Sequence, residues 1–122
     1  MTEATQEKLT PEDMLENLRI MAEEIFLLAV TINARKLAVV NIKYAGHIDV
    51  LDADVFEAGA NFTNKDQFPD RLASLWMPCY LMDGLKDTSF ARDMYQEEIQ
   101  KGRAFSEYLD QILETNRPLV AR

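Results

Sequence analysis

The sequence predicts an all-α or mostly α fold, a three- to four-helix bundle with a long N-terminal helix that is completed by dimerisation. Three observations carry that expectation. Met14, Leu18, Met21, Ile25, Leu28, Ile32, Arg35, Val39 and Ile42 recur at alternating steps of four and three, and all but Arg35 are apolar. On an α-helix that spacing makes one stripe, at the period that lets two helices pack side by side. Ile25 to Val30 is apolar at every position, the pattern of a helix surrounded by others, inside the domain or across a subunit interface. Four glycines and four prolines in 122 residues favour long regular elements over a turn-rich β fold.

The elements follow in order. Residues 1–9 read as a loosely ordered tail, 10–116 as one helical domain and 117–122 as a C-terminal tail. Thr10-Pro11-Glu12-Asp13 marks a helix start: Thr10 accepts from a first-turn amide, Pro11 loses nothing at the first helical position, and two acids meet the positive dipole end. The stripe then runs to Ile42, with Gly46 as a stop. A helix over 11–44 would be about 50 Å long at 1.5 Å per residue, so it protrudes or needs a partner along its length. A competing α+β reading cuts it near Arg35. There Val40, Ile42 and Tyr44 alternate with Asn41 and Lys43, and a turn at Ala45-Gly46-His47 leads into Ile48 and Val50, a small hairpin at 39–51.

Beyond it, a short helix is expected over Asp52 to Ala58, with a turn at Gly59. Pro69-Asp70 opens a second long helix carrying Leu72, Leu75, Trp76, Cys79 and Met82, kinked near Met77 by Pro78 and stopped at Asp83-Gly84. The last helix runs from Thr88 or Ser89 to about Thr115, weakened at Gly102, which bends it or admits another backbone.

Composition bounds the function. A net charge of −8 opposes direct nucleic-acid binding, which relies on lysine and arginine displacing counterions. Residues 1–30 hold seven acids against two bases and 49–70 hold six against one, whereas 31–48 contains Arg35, Lys36 and Lys43 without a carboxylate. Those bases pair with the acidic stretches on either side or form a small anion-facing patch. The single Cys79 excludes an internal disulfide and fits a reducing compartment. The polar Met1–Lys8 stretch is unlike a signal peptide, and the longest apolar runs, Ile25–Val30 and Leu75–Met82, are too short to span a bilayer. The expected location is cytoplasmic, with no membrane contact.

No constellation dictates a chemistry. His47 is the only histidine, which rules out a multi-histidine metal site. Ser74, Ser89 and Ser106 lack a nucleophile elbow. A Cys79–His47 dyad competes with a buried, inert thiol and a turn histidine, and the latter pair is favoured. Asp49, Asp52, Asp54 and Glu57 lack calcium-loop spacing, and isolated glycines at 46, 59, 84 and 102 do not cradle phosphate. No metal or cofactor is expected.

The function expected is therefore that of a non-enzymatic protein acting through protein–protein binding, as an adaptor, regulator or inhibitor, and self-associating as a homodimer. Leu28, Ile32, Arg35, Val39 and Ile42 are the expected self-association residues, and Trp76 and Tyr80 the expected partner-binding residues, since aromatics and methionines are enriched at interface cores. Two alternatives stand beside it: an acidic inhibitor occupying a nucleic-acid-binding site on a target protein, and a small-molecule-binding protein or small enzyme with a pocket between helices.

Overall fold

Thr10 and Pro11 open the first helix as the sequence predicts. The Thr10 hydroxyl accepts from the Asp13 N–H at 3.0 Å, and the Thr10 N–H donates to the Asp13 carboxylate at 3.2 Å, so two of the helix's orphan donors are satisfied reciprocally. In the computed structural model, which describes residues 9–63, 66, 68–81 and 87–120, this helix, α1, spans Pro11–Ala34.

It stops ten residues short of the predicted end. Arg35 caps it, Lys36 takes a left-handed conformation (φ 59°), and the Lys36 and Leu37 N–H groups return to the carbonyls of Asn33 and Ile32, each at 3.1 Å. That is a Schellman closure with lysine where glycine is usual. Asn33 then brackets Val40, its amide nitrogen donating to the Val40 carbonyl at 2.8 Å and its carbonyl accepting from the Val40 N–H at 2.9 Å. The next residues are strand: β1 (Val39–Ala45) pairs antiparallel with β2 (Val50–Phe56) from Val39 opposite Phe56 to Ala45 opposite Val50. The hairpin of the competing reading is the arrangement found, longer by five residues on its second arm. Its loop runs over Gly46, His47, Ile48 and Asp49, with the Ile48 and Asp49 N–H groups both returning to the Ala45 carbonyl.

Two further helical expectations fail. Asp52 to Phe56 lies in β2 rather than a short helix. Residues expected in a second long helix form β3 (Ala73–Pro78), antiparallel to β2 with Leu75 opposite Ala53 and Met77 opposite Leu51. Leu75, Met77 and Cys79 are buried while Ser74 and Trp76 are exposed, so the period is two. The stop expected at Asp83-Gly84 lies outside the described residues. The connection from β2 to β3 carries Phe62 and Phe68; Phe62 packs edge-to-face with Phe56 at a centroid separation of 4.8 Å and with Phe68 at 5.6 Å. The last helix, α2, spans Ser89–Thr115, capped by Thr88 and ended by Asn116 in the left-handed conformation.

The all-α bundle is thus overturned. The described residues form an α+β fold in which α1 and α2 cover one face of a sheet of order β1-β2-β3. The helices run in the same sense, since Asn17 donates to the Tyr95 hydroxyl at 3.0 Å and Met21 meets α2 at Gly102. Between the layers lies one core: Leu18, Ile25, Ala29 and Ile32 of α1, Val40, Leu51, Val55, Leu75 and Met77 of the sheet, and Ile99, Phe105, Leu109 and Ile112 of α2. Leu119, in the segment read as a C-terminal tail, closes one end: its N–H donates to the Leu37 carbonyl at 2.7 Å and its carbonyl accepts from Ala58 at 2.8 Å.

Candidate functional site

The core consumes only part of the apolar surface of α1. Met14, Leu18, Ile25, Ala29 and Ile32 point inward and are at most 1% exposed. Met21 and Leu28, a turn to one side, pack toward α2. On the far side Ile20 is 51% exposed, Phe26 51%, Leu27 68% and Val30 48%. At 100° per residue, Ile20 and Leu27 share one line along the helix, and Val30 and Phe26 lie successively further round on one side of it. The apolar run read as a helix surrounded on all sides is therefore surrounded on only part of its circumference within this chain.

Between this ridge and the hairpin lies a groove of about 750 Å³, walled by Leu15, Arg19, Ala22 and Phe26 of α1 and by Tyr44, Asp49, Leu51 and Cys79. The Tyr44 hydroxyl donates to the Asp49 carboxylate, and that bond holds the phenol above its usual pKa. Burial pushes the Cys79 thiol up to about 11, with the Asp49 charge adding to the rise, and the Sγ lies 3.7 Å from the Met77 carbonyl. A thiol so placed stays protonated at neutral pH and is a poor nucleophile. His47, its conceivable base, sits exposed in the hairpin loop.

None of the described helices covers the other face of the sheet. Trp76 lies there, 53% exposed, with Asp52 and then Lys43 in line across the register. The next row outward is Ser74, Asp54 and Asn41, and Arg71 pairs with Asp54 at 3.3 Å. Asp52 and Asp54 therefore alternate with cations and amides on a surface rather than converge. Among the described residues no group of three or more histidine, cysteine, aspartate or glutamate side chains is arranged to hold a metal ion. None of the described helices is long and apolar enough to cross a membrane.

The sequence-predicted contact residues separate. Ile32 is fully buried, Leu28 half-buried against the core, Arg35 exposed at the helix cap, and Val39 and Ile42 are half-buried in β1. They do not form one stripe, because the helix that would align them ends at Ala34. Trp76 is on the open sheet face and Tyr80 follows β3, half-buried. The residues that do form a surface on α1, Ile20, Phe26, Leu27 and Val30, were not among those expected. Their signal was present in the unbroken apolar run, which puts side chains on every side of a helix that has only one core to face.

Comparison with protein-family models, with curated proteins and with solved structures finds no match to this chain.

Proposed function

We propose that the chain is a non-enzymatic protein that works through protein–protein contacts and self-associates as a dimer through the outer face of α1. The observation that carries this reading is the ridge of Ile20, Phe26, Leu27 and Val30, each about half exposed or more on one helix. Large contiguous apolar surface rimmed by charge is characteristic of interaction sites. Trp76, on the opposite side of the molecule, supplies a second surface for a different protein, and tryptophan is enriched at interface hot spots. Because the two faces lie on opposite layers, one protein can be held while a second copy is bound, the geometry an adaptor or regulator needs. A cytoplasmic location belongs to the same reading and is supported by the single, free, buried thiol of Cys79.

The two alternatives have less behind them. An acidic inhibitor of a nucleic-acid-binding site needs carboxylates gathered on one face, and Asp52 and Asp54 are interleaved with Lys43 and Arg71. An enzyme using the groove would need Cys79 as thiolate or Tyr44 as base, and both are held protonated.

The test is the mass of the protein in solution by light scattering across a range of concentrations. The expected result is twice the 14.0 kDa chain mass for the unaltered protein and for Trp76→Ala, and the single-chain mass for Leu27→Asp with an unchanged circular dichroism spectrum. A single-chain mass for the unaltered protein at every concentration up to about 100 μM sinks the self-association reading.

A further inference from the structure

We infer that the two copies meet through α1 packed antiparallel on α1 about a two-fold axis level with the step from Ala29 to Val30; this rests on the self-association reading above and specifies its geometry. The argument is the charge along the helix. Its stretch 11–24 carries Glu12, Asp13, Glu16, Glu23 and Glu24 against Arg19 alone, and its end carries Arg35 and Lys36. Between Ile25 and Ala34 no residue is charged. Arg19 is already satisfied by Glu16 at 2.5 Å. Arg35, Lys36, Glu23 and Glu24 have no ion-pair partner among the described residues. The face thus holds an acidic end, an apolar middle and a basic end, with opposite charges unspent at the two ends.

A two-fold axis places identical patches against each other. If the helices ran parallel, acids would lie on acids and bases on bases. Antiparallel, the unlike ends meet, the apolar middles coincide, and the helix dipoles oppose as well. With the axis level with the step from Ala29 to Val30, position 25 of one copy stands level with position 34 of the other, so the uncharged stretches coincide. Arg35 and Lys36 then stand level with Glu24 and Glu23 of the second copy, across an interaxial distance of roughly 8–10 Å. Long basic side chains span that distance.

Cysteine cross-linking in a Cys79→Ala background reads the geometry directly. The expected pattern has three parts: Val30→Cys couples to itself on mild oxidation, Leu27→Cys couples to Thr31→Cys when the two proteins are mixed, and Ile20→Cys does not couple to itself. In parallel, the double variant Arg35→Glu/Lys36→Glu weakens dimerisation at least about tenfold by sedimentation. Its affinity for a Glu23→Lys/Glu24→Lys partner is recovered, and raised salt weakens the unaltered dimer, as for exposed charges generally. A dimer in which Ile20→Cys couples to itself overturns the antiparallel arrangement while leaving self-association intact. So does a dimer indifferent to both charge reversal and salt. A dimer that persists in Leu27→Asp places the contact elsewhere and overturns the surface itself. A monomer throughout overturns this inference and self-association together.

Discussion

Two side chains decide where the first helix gives way to strand. Lys36 adopts a left-handed conformation (φ 59°) that β-carbon sterics disfavour, and Asn33 supplies Val40 with a donor and an acceptor in place of a neighbouring strand. Asparagine does this because its amide carries both functions on one short side chain. Asn33→Ala is expected to lower stability by about 1–3 kcal/mol, the cost of leaving two backbone groups without partners in a partly buried turn, as measured by urea denaturation. A second residue-scale expectation concerns Cys79. Its thiol ionises near 9 in an unfolded chain and at about 11 in the fold, so above pH 9 the unfolded state has lost a proton that the folded state retains. Stability conferred by the neutral thiol is therefore complete below pH 9 and falls as pH rises from 9 to 11. Denaturation curves across that window should fall more steeply for the unaltered protein than for Cys79→Ala, while the raised Tyr44 and Tyr108 phenols remain common to both.

Among the elements, α2 is the one whose extent agrees between sequence and structure, and its glycine explains how it is seated. A β-carbon at Gly102 would lie 2.8 Å from both the Met21 Cγ and the fully buried Met77 Sδ, so α1, α2 and β3 converge at this point. The helix is not interrupted there; the close approach, not a bend, is what the residue serves. Gly102→Ala gains up to about 1 kcal/mol of helix propensity and pays about 1–3 kcal/mol for overpacking. A net loss of about 1 kcal/mol is expected in thermal denaturation, partly recovered when Met21→Ala opens room. The strand β3 is the opposite case. Leu72, Leu75, Trp76 and Cys79 fit a helical spacing, and Ala73, Leu75, Met77 and Cys79 fit an alternating one, over the same few residues. Pro78 was read as a helix kink, yet it stands at the last position of an edge strand, where a missing donor costs little.

At the scale of the molecule, the elements are tied by a few contacts that cross between layers. Lys101 of α2 pairs with the buried Glu98 at 2.7 Å and donates to the Trp76 carbonyl at 3.2 Å. Arg92 joins Asp87 to the Leu9 carbonyl, holding the start of α2 beside the start of α1. Leu119 bridges the first two strands at the other end. These ties leave α1 half covered, and the apolar ridge and the divided charges of that helix are properties of the folded surface. The residues expected to mediate self-association do not share one face, and the exposed apolar ridge lies on the side of α1 away from the core.

The sequence by itself determined the helix boundaries that depend on neighbours in the chain. Thr10, Pro11 and Asp13 begin α1, Thr88 begins α2 and Asn116 ends it, because caps are satisfied within four residues and are visible locally. It also determined that a single histidine and a single cysteine leave little material for a metal or nucleophilic site. Tertiary structure alone decided that Val39 to Ala45 and Ala73 to Pro78 are strands. Their hydrogen bonds are made to β2, up to 28 residues away in the pairing of Val50 with Pro78, and strand preference is largely the preference of a side chain for the half-buried surface that such pairing creates. A stripe in four-three steps specifies one face of a helix only while the backbone stays helical. It continues past Ala34 in the sequence, but Asn33, Lys36 and the waiting edge of β2 end the helix there.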